Sequence, residues 1–403
     1  MLMVQKFGGT SVGDLDRIQN VANRVQKTVQ AGNDVVVVVS AMSGETNKLV
    51  GYAEHFSKTP SVAEVDMLLS SGERVTASLL SIALNEMGHP TIAMTGRQAG
   101  ILTTSKHTKA RIEDINPTNM KKALSEGKIV VVAGFQGVNE EGIVTTLGRG
   151  GSDLSAVAIA GAIGAQLCEI YTDVDGIYTT DPRIEPHAKK LDKISYEEML
   201  ELASLGAKVL QSRSVEMAKK LNVNLVTRSS FSDAEGTLIT KEEDIMEQPL
   251  VSGVALDRNQ ARVSLIGVAD RPGIAADIFT TLANDEINVD VILQTVAHDG
   301  TTNIDFTVPT NELEMAKNIV KIFEERDEIK SADFNESIAK VSIVGVGMKS
   351  HAGVAAKAFA TMAEENINIR MISTSEIKVS MVIEEKYSEL AVRSLHNAFE
   401  LDK

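Results

Sequence analysis

The sequence predicts an α/β protein in which a three-layer αβα domain, with helices on both faces of a mainly parallel sheet, precedes two smaller βαββα modules. Strand-like and helical segments alternate over residues 1–230. The run VVVVV at 35–39 is apolar and β-branched throughout, as a strand buried on both faces requires. A segment of the carboxy-terminal part occurs twice, which indicates two copies of one module.

The first domain opens with a predicted βαβ unit. Residues 4–7 (VQKF) resemble a strand, residues 14–32 carry apolar side chains at helical spacing before Gly32, and the VVVVV strand follows. The alternation then continues with a helix at 64–88, strands at 91–96 and 128–137, a helix at 153–165 and a strand at 166–176. This order favours parallel strands joined by helical crossovers.

The repeat aligns residues 263–295 with 341–375. The second copy ends at Lys403 directly after its last helix, so another segment has to complete its sheet. We predict that a strand preceding the first copy does so, which makes the first copy an insertion within the second. The expected boundaries are 1–230 for the first domain, 231–249 for a linker, 250–257 for the completing strand, and 263–337 and 341–403 for the modules.

Composition restricts the class of ligand. The chain of 403 residues has a formal net charge of -15 and a pI near 5.0, so nucleic acids and acidic membranes are disfavoured and small molecules are expected. A single cysteine, Cys168, excludes an intrachain disulfide and indicates a reducing compartment. No apolar run approaches the ~20 residues of a membrane span, and no secretion signal is present. We therefore expect a cytoplasmic protein.

The opening stretch VQKFGGTSVG, residues 4–13, has the residue types of a phosphate site. Gly8 and Gly9 lack side chains, so their amides can approach an anion while Lys6 supplies a mobile charge. The structural alternative is a tight strand-to-helix turn beside a solvated lysine, and this motif alone supports both about equally. The pattern GxxxxGK[ST] is absent, so a nucleotide site here would not be a P-loop.

Two further loops leave predicted strands. In TLGRGGSD, 146–153, we expect Ser152 or Asp153 to cap a helix whose amino terminus attracts anions. The guanidinium group of Arg149 can bind a carboxylate in two-point contact. The stretch YTDVDGIYTTDPR, 171–183, follows a buried-type strand, where open α/β sheets bind ligands. Its aspartates are turn formers in the structural alternative.

Four single residues have a structural role as their default interpretation. Glu73 stands three residues after Ser70, the spacing of a capping box, and its alternative role is to bind an ammonium group. Ser40 ends the VVVVV strand, and Thr46 lies in the following loop, where either hydroxyl would serve a turn. Lys208 is expected on a helix surface. The seven histidines show no metal-ligand spacing, so no protein-held metal is predicted.

Together, the motifs KFGGTSV, TTLGRGGSD and YTDVDGIYTTDPR and the doubled GVxxxxG modules resemble those of the aspartate kinase (aspartokinase) family, in the amino-acid kinase superfamily. The resemblance covers essentially the whole chain. It implies a three-layer amino-acid kinase domain followed by two ferredoxin-like (βαββαβ) ACT domains that bind effectors. The implied activity is Mg²⁺-dependent transfer of phosphate from ATP to the side chain of L-aspartate. The product, 4-phospho-L-aspartate, leads to lysine, threonine and methionine.

The resemblance also implies roles by motif position. Lys6 would contact the transferring phosphoryl group, Asp153 would orient the lysines, Glu73 would bind the ammonium group of aspartate and Arg149 its α-carboxylate. The full substrate set is Ser40, Thr46, Glu73, Arg149, Gly150, Gly151 and Ser152. The nucleotide set is Lys6, Phe7, Gly8, Gly9, Ser40, Thr172, Asp173, Tyr178, Asp181, Arg183, Lys208 and Val209.

In the ACT domains, two glycine-bearing loops and the strands beside them would bind lysine, threonine or both. These residues are Asp270, Arg271, Pro272, Gly273, Ile274, Ala275, Asn288, Gln294, Ser350, His351, Ala352, Gly353, Val354 and Asn368. The effector would bind the chain more tightly when the kinase domain has an inactive geometry than when it has the active one, and would thereby favour the inactive geometry. Edge pairing of the module sheets suggests a homodimer or larger assembly, and Met246 offers an internal start for a separate regulatory subunit.

Two rival interpretations remain. One is another amino-acid kinase, acting on acetylglutamate or glutamate, and the tandem modules speak against it. The other is a catalytically silent amino-acid sensor, which the intact Lys6, Arg149 and Asp153 disfavour. The sequence leaves the identity of the effector and the size of the oligomer open.

Overall fold

The computed structural model describes residues 1–205, 209–245, 249–296, 300–351 and 353–403, with only the backbone at Ser350. Contacts divide the chain into two units. The first comprises Met1–Ile177, Lys190–Ala203 and Lys208–Glu247, and the second Tyr178–Lys189, Ser204–Ala207 and Gln248–Lys403. Within these described ranges, no helix is long and apolar enough to cross a membrane.

The elements up to residue 245 alternate as the sequence predicts. The strands are β1 Leu2–Phe7, β2 Asp34–Val39, β3 Thr91–Met94, β4 Ile101–Thr103, β5 Ile112–Ile115, β6 Ile129–Ala133, β7 Gln136–Val138, β8 Val144–Thr146, β9 Leu167–Thr172, β10 Lys193–Ser195, β11 Leu225–Ser229 and β12 Thr237–Thr240. The helices are α1 Leu15–Gln30, α2 Glu45–Phe56, α3 Val62–Glu86, α4 Thr118–Ser125, α5 Gly151–Ile163, α6 Tyr196–Ser204 and α7 Ser212–Leu221.

The larger sheet of the first unit has the strand order β10-β12-β11-β9-β1-β2-β6-β3. Neighbouring strands pair in parallel, apart from β11 with β12, which are antiparallel. The carboxyl ends of β1, β2, β6 and β9 therefore lie at the same edge of the sheet. The prediction of a mainly parallel sheet is confirmed.

Helices cover both faces of this sheet. On one face, α1 and α3 bury Ile18, Val21 and Leu80 against the β2 and β6 side chains. The side chain of Asp14 caps α1 by accepting the amide of Arg17 at 2.8 Å. On the opposite face, α5 packs against β1, β2 and β9. The three layers of the predicted fold class are present.

A second, smaller sheet of the first unit has the order β5-β4-β7-β8. Its strands are three or four residues long, too short to show a hydrophobic period, and the sequence did not predict it. Strand β8 ends at Thr146, directly before the glycine-rich turn at 147–151. This small sheet therefore sets where that turn begins.

The second unit contains a six-stranded antiparallel sheet of order β14-β15-β13-β16-β18-β17. Its strands are β13 Gly253–Ala269, β14 Ile292–Val296, β15 Thr301–Val308, β16 Ser331–Val344, β17 Met371–Thr374 and β18 Lys378–Glu384. Its helices are α8 Ile274–Asn284, α9 Leu313–Glu325, α10 Val354–Glu364 and α11 Ser388–Ala398. Each copy of the repeat thus reads strand, helix, strand, strand, helix.

The long strands β13 and β16 run through both copies of the repeat. Gly253–Leu256 of β13 pairs with Val341–Val344 of β16, and Val263 pairs with Phe334 farther along, with register shifts between Asp257 and Arg262. This register is the pairing that an insertion of the first copy within the second requires. Unlike the predicted separate strand at 250–257, β13 continues without interruption into the first copy.

One segment of the second unit comes from the middle of the chain. In Tyr178–Lys189, the carbonyl of Thr179 accepts the amide of Val254 at 2.7 Å, and its hydroxyl bonds the ring of His396 at 2.9 Å. Ile184 packs against the core cluster around Val341. The predicted boundary at 230 did not anticipate this segment, because sequence periodicity gives no information on which core a loop joins.

The register of β13 and β16 predicts a disulfide. Replacing Val254 and Ile343 by cysteine places two thiols on directly paired residues, whose Cα atoms are about 4.5–5.5 Å apart in antiparallel strands, within the range of a disulfide. We expect mild oxidation to consume both new thiols, as measured by thiol titration of the unfolded protein. The native Cys168 is buried and contributes a constant background.

A matched control replaces Val254 and Phe334, which is nine residues from Ile343 along the same strand, or about 30 Å. This pair should stay reduced within one molecule. Oxidation of the control with a reduced Val254/Ile343 pair would show that the register is different.

Candidate active site

A cavity of about 440 Å³ lies at the carboxyl edge of the larger sheet. It receives Lys6 from β1, Ser40 from the end of β2 and Glu73 from α3, together with the turn that starts α5. The complete lining is Lys6, Gly9, Thr10, Ser40, Ala41, Met42, Ser43, Gly44, Thr46, Asn47, Glu73, Phe135, Gly148, Arg149, Gly150, Gly151, Ser152 and Asp153. Most of the residues predicted to contact substrate or the transferring phosphate therefore surround a single space.

Lys6 and Asp153 form the central ion pair of this cavity. Their Nζ and Oδ1 atoms are 2.5 Å apart, and the side chains are 9% and 12% exposed. Since Lys6 is the next-to-last residue of β1 and Asp153 lies in the first turn of α5, the pair joins sheet and helix. The carboxylate orients the ammonium group and offsets much of the cost of burying it.

The amino terminus of α5 borders the cavity with its backbone amides free of side-chain capping. Gly150 is the N-cap residue, in a left-handed conformation with φ of 68°, and no side chain among the described residues accepts a hydrogen bond from the first-turn amides. The prediction that Ser152 or Asp153 caps this helix is wrong, because both lie inside its first turn. An uncapped helix start binds anions through these amides and the helix dipole.

Glu73 lies in the middle of α3, so the predicted capping box with Ser70 is wrong. The hydroxyl of Ser70 instead donates to the carbonyl of Met67 at 2.9 Å. The Glu73 side chain approaches the end of β2, where its Oε1 accepts the amide of Ala41 at 3.1 Å. Gly72 permits this approach, because a Cβ at that position would lie 2.8 Å from the Cβ of Ala41.

The second carboxylate oxygen of Glu73 is unsatisfied. Glu73 is 4% exposed, and its Oε2 has no hydrogen-bond partner among the described residues. Burial raises the pKa of Glu73 to about 7, against a smaller opposing effect of the amide bonds. A cationic group entering the cavity would satisfy this oxygen and favour the charged carboxylate.

Arg149 and the α2 segment form the exposed rim of the cavity. Arg149 is exposed, and no carboxylate in the described residues pairs with its guanidinium. Thr46 was expected in a loop, but it lies in the first turn of α2, which follows the left-handed Gly44. Thr10 and Asn47 also line the cavity and are not among the residues predicted from the sequence, although their positions after Gly9 and in a glycine-started helix were the available signals.

The predicted nucleotide residues do not all reach this cavity. The side chain of Phe7 is fully buried and stacks on the ring of Tyr171, with 4.6 Å between the ring centroids. The carbonyl of Phe7 accepts a hydrogen bond from the amide of Ser40, so only the backbone of Phe7 lies near the site. Thr172 ends β9 beside β1, and Asp173 follows it in an exposed loop. Neither Thr172 nor Asp173 is among the described residues that line the cavity.

Three more predicted nucleotide residues belong to the second unit. They are Tyr178, Asp181 and Arg183, and the last two form an ion pair at 2.6 Å with each other. The guanidinium of Arg183 holds the pKa of Asp181 below its usual value. Val209 is half-buried in a turn, and Lys208 lies outside the described residues.

The two predicted effector loops have the same backbone design. Gly273 and Gly353 are left-handed N-cap residues, with φ of 96° and 95°, and they start α8 and α10 without a side-chain cap. Arg271 in the first loop pairs with Asp277 at 2.7 Å and with Glu328 at 2.8 Å. In the described residues, both loops therefore start a helix that has no side-chain cap, and the amide of Ile274 donates to the carbonyl of Arg271 at 3.3 Å.

Other effector predictions differ in detail. Asn288 and Asn368 were expected on strands, but they lie in the extended segments that precede β14 and β17. Gln294 lies on the edge strand β14, and the ring of His351 bonds the carbonyl of Gly347 at 2.9 Å. Ala352 and Met246 lie outside the described residues.

Family models match nearly the whole chain. Residues 1–228 match the amino acid kinase family, and residues 263–328 and 341–399 each match an ACT domain. The fold and the cavity thus define an amino acid kinase with two ACT domains, the class that the sequence motifs predict.

Curated relatives narrow this class. An aspartokinase of Helicobacter pylori strain J99 is 58% identical over 407 residues, 100% of both chains. An aspartokinase of Pseudomonas aeruginosa PAO1 is 56% identical over 403 residues, 100% of this chain and 98% of its own. The chain belongs to the aspartokinase family.

Solved structures agree with this membership. E. coli aspartokinase III in complex with aspartate and ADP (R-state) matches with a TM-score of 0.83 and 28% identity, over 99% of both chains. The same enzyme in complex with lysine and aspartate (T-state) matches with a TM-score of 0.80 and 28% identity, also over 99% of both chains.

The raised pKa of Glu73 predicts a pH-dependent stability. A carboxyl group whose pKa rises from 4.5 in the unfolded chain to about 7 in the fold contributes stability below pH 4.5 that is lost as the pH rises through 7. Replacing Glu73 by Gln removes the cost of ionising a buried carboxyl group at high pH. We expect the variant to exceed the wild type in free energy of unfolding at pH 8 by on the order of 2 kcal/mol, measured in urea.

At about pH 3.5 the two proteins should differ little in stability, because Glu73 is then mostly protonated in both the folded and the unfolded state. A control variant, Glu86→Gln, changes an exposed carboxyl at the end of the same helix and should keep the wild-type pH profile. An equal stability difference at both pH values would contradict the raised pKa.

Proposed function

We propose that the protein transfers the γ-phosphoryl group of ATP to the side-chain carboxylate of L-aspartate, giving 4-phospho-L-aspartate and ADP. The observation that carries this proposal is the position of Glu73 and Arg149 on the same cavity as the Lys6–Asp153 pair and the α5 amino terminus. An amino acid with two carboxylates has an ammonium group for Glu73, an α-carboxylate for Arg149 and a side-chain carboxylate that can face the Lys6–Asp153 pair. Membership of the aspartokinase family and the aspartate and ADP complex of E. coli aspartokinase III support it.

The substrate would be held at its two ends. The ammonium group of aspartate bonds the unsatisfied Oε2 of Glu73, and the guanidinium of Arg149 grips the α-carboxylate in two-point contact. Ser40, Thr46, Gly150, Gly151 and Ser152 complete the pocket. The side-chain carboxylate then points to Lys6 and needs no general base, since it is already ionised at neutral pH.

The phosphoryl group would be stabilised by charge and by amides. Lys6 neutralises the oxygens of the transferring group, Asp153 fixes the position of Lys6, and the amides of Gly9 and of the start of α5 bind the phosphates. Gly8 belongs to the proposed nucleotide set by motif position, and its own amide donates to the carbonyl of Tyr171 at 3.2 Å. In-line transfer between two bound substrates requires no covalent enzyme intermediate.

The remaining nucleotide contacts are proposed from motif position. They are Phe7 through its backbone, and Ser40, Thr172, Asp173, Tyr178, Asp181, Arg183, Lys208 and Val209. Mg²⁺ would arrive with ATP, because no cluster of three metal-ligating side chains occurs in the described residues, and the triphosphate supplies oxygen ligands. The ion would neutralise charge on the phosphates.

Regulation would act through the ACT domains. The uncapped helix starts beside Gly273 and Gly353 suit the carboxylate of an amino acid, and lysine, threonine or both are the proposed effectors. The complex of E. coli aspartokinase III with lysine and aspartate supports lysine as one of them. The edge strand β14 exposes Ile292 and Val296, so we propose a homodimer or higher oligomer formed through the module sheets.

A separate regulatory subunit is compatible with the strand positions. All six strands of the second sheet begin at or after Gly253, so a chain started at Met246 would contain the entire sheet. Such a chain would lack the segment Tyr178–Lys189 and therefore the hydrogen bonds that this segment makes with Val254 and His396.

Lys6 is predicted to be essential for turnover. Lys6→Ala should lower kcat by on the order of a hundredfold or more, because the transferring group loses its principal positive charge. The change also leaves Asp153 buried without a partner and so destabilises the fold. The double variant Lys6→Ala/Asp153→Asn removes both charges and should recover stability without recovering kcat, measured as ADP release. Near-normal turnover in the double variant would contradict this role.

Arg149 is predicted to act on aspartate binding. Arg149→Ala should raise the KM for aspartate by on the order of tenfold to a hundredfold, the effect of losing a bidentate charged contact, and leave the KM for ATP within about twofold. Arg149→Lys should recover part of the loss, because it keeps the charge without the fork. Since Arg149 is exposed, the melting temperature of the variants should equal that of the wild type. An unaltered KM for aspartate in Arg149→Ala would exclude the contact between Arg149 and the α-carboxylate.

Initial rates with aspartate, glutamate and acetylglutamate separate the proposed function from its rivals. Turnover of aspartate alone supports an aspartate kinase, a preference for glutamate or acetylglutamate indicates another amino-acid kinase, and lysine or threonine binding without turnover indicates a silent sensor. Titrating lysine and threonine, singly and together, against the same rate identifies the effector.

A further inference from the structure

A buried carboxylate outside the cavity has three bonding partners on two other segments. Asp66 on α3 is fully buried. Its Oδ1 accepts the hydroxyl of Thr146 at 2.5 Å, both oxygens lie 3.1 Å from the amide of Thr108, and Oδ2 bonds the ring of His107 at 2.7 Å. These contacts connect α3, the end of β8 and the 104–111 loop, and we call them the Asp66 brace.

The brace lies at the base of the turn that carries Arg149. Thr146 is the last residue of β8, and Arg149 follows it by three residues. The carbonyl of Thr146 accepts the amide of Ala110 at 2.9 Å, so the 104–111 loop holds the strand end from a second side. From α7, Arg213 donates to the carbonyls of Leu147 at 2.8 Å and Ala110 at 3.2 Å.

Backbone strain points to the same place. Thr108 has a φ of 61°, a left-handed conformation that β-branched residues rarely adopt and that persists only where surrounding contacts hold it. The Asp66 carboxylate supplies such a contact by binding its amide. The carbonyl of Thr108 in turn lies 3.0 Å from the position of a Cβ on Gly148, so the strained loop is packed directly on the turn.

The same helix carries the other end of the substrate pocket. Asp66 and Glu73 are seven residues apart on α3, two turns along one face and about 10 Å along the axis. Glu73 faces the cavity, and Asp66 fixes the strand that leads to Arg149. Helix α3 therefore determines the distance between the two groups proposed to bind the ammonium and the α-carboxylate of the substrate.

We propose that Asp66 is a positioning residue for amino-acid binding: through Thr146, Thr108 and His107 it holds the Arg149 turn at a fixed distance from Glu73. The role attached to Arg149 rests on the proposed function, whereas the positioning of the turn does not. Asp66 lies outside the cavity lining, so we assign it no direct contact with substrate.

The test compares changes in the brace with a change beside it. Asp66→Asn and Thr146→Val each remove part of the brace, and Thr146→Ser keeps the hydroxyl. The matched control is Thr145→Val, which removes an equally buried hydroxyl from the neighbouring residue of β8, bonded at 2.5 Å to Thr103 and not to Asp66.

We expect Asp66→Asn and Thr146→Val to raise the KM for aspartate by about tenfold while kcat and the KM for ATP change by less than about threefold, because a displaced turn weakens substrate contacts specifically. Thr146→Ser should restore the wild-type value, and Thr145→Val should leave it unchanged. An unaltered KM in both brace variants, or an equal rise in Thr145→Val, would overturn the proposal.

A second measurement is independent of the substrate. The amides of Leu147 and Gly151 donate to the carbonyls of Phe135 and Gly148, so hydrogen exchange reports the order of the turn in the free enzyme. Exchange in the 147–154 segment should accelerate in Asp66→Asn and Thr146→Val but not in Thr145→Val. Faster exchange in a protein that does not use aspartate would refute the proposed function and retain the brace, and unchanged exchange in both brace variants would refute the brace.

Discussion

The parallel register of β1, β2, β6 and β9 is the constraint on which the site depends. Parallel strands end at the same edge of a sheet, so residues distant in the sequence come together there without any long-range recognition of their own. Lys6, Ser40 and Phe135 enter one cavity because each lies within two residues of the end of such a strand. The glycine-rich turns let backbone amides reach the same space. A change in strand order would separate these groups even if each local segment folded correctly.

Charge within the cavity is balanced locally in a strongly acidic protein. The chain carries a formal net charge of -15, yet Lys6 and Arg149 are the fixed positive groups that an anionic substrate meets. Asp153 orients Lys6, and Glu73 remains largely protonated below pH 7, so neither carboxyl group presents a full repulsive charge to an approaching phosphate. On the proposed function, binding of the substrate's ammonium group would restore the charge of Glu73, so the site would become ionised where the substrate requires it.

The sequence predicted those parts of the structure that are encoded locally. The β-branched run of β2 and the helical spacing of α1 need no tertiary information, and the glycine motifs place Lys6 and Arg149 at strand ends. The position of Glu73 was not predictable, because it depends on the approach of α3 to Ala41 that Gly72 permits. The three-residue strands around β8 show no periodicity, and the strain at Thr108 comes from tertiary contacts. Likewise, nothing in Tyr178–Lys189 reveals which core it joins.

The shared strands β13 and β16 limit how the two ACT domains can evolve. Each strand supplies backbone partners to both copies of the repeat, so neither copy can be deleted, exchanged or duplicated as an independent cassette without cutting a continuous hydrogen-bonded ribbon. An insertion or deletion near Asp257–Arg262, where the register already shifts, would instead change the alignment of both copies at once. Divergence of effector preference is therefore expected through substitutions in the glycine-bearing loops, while the length of the two central strands stays constant.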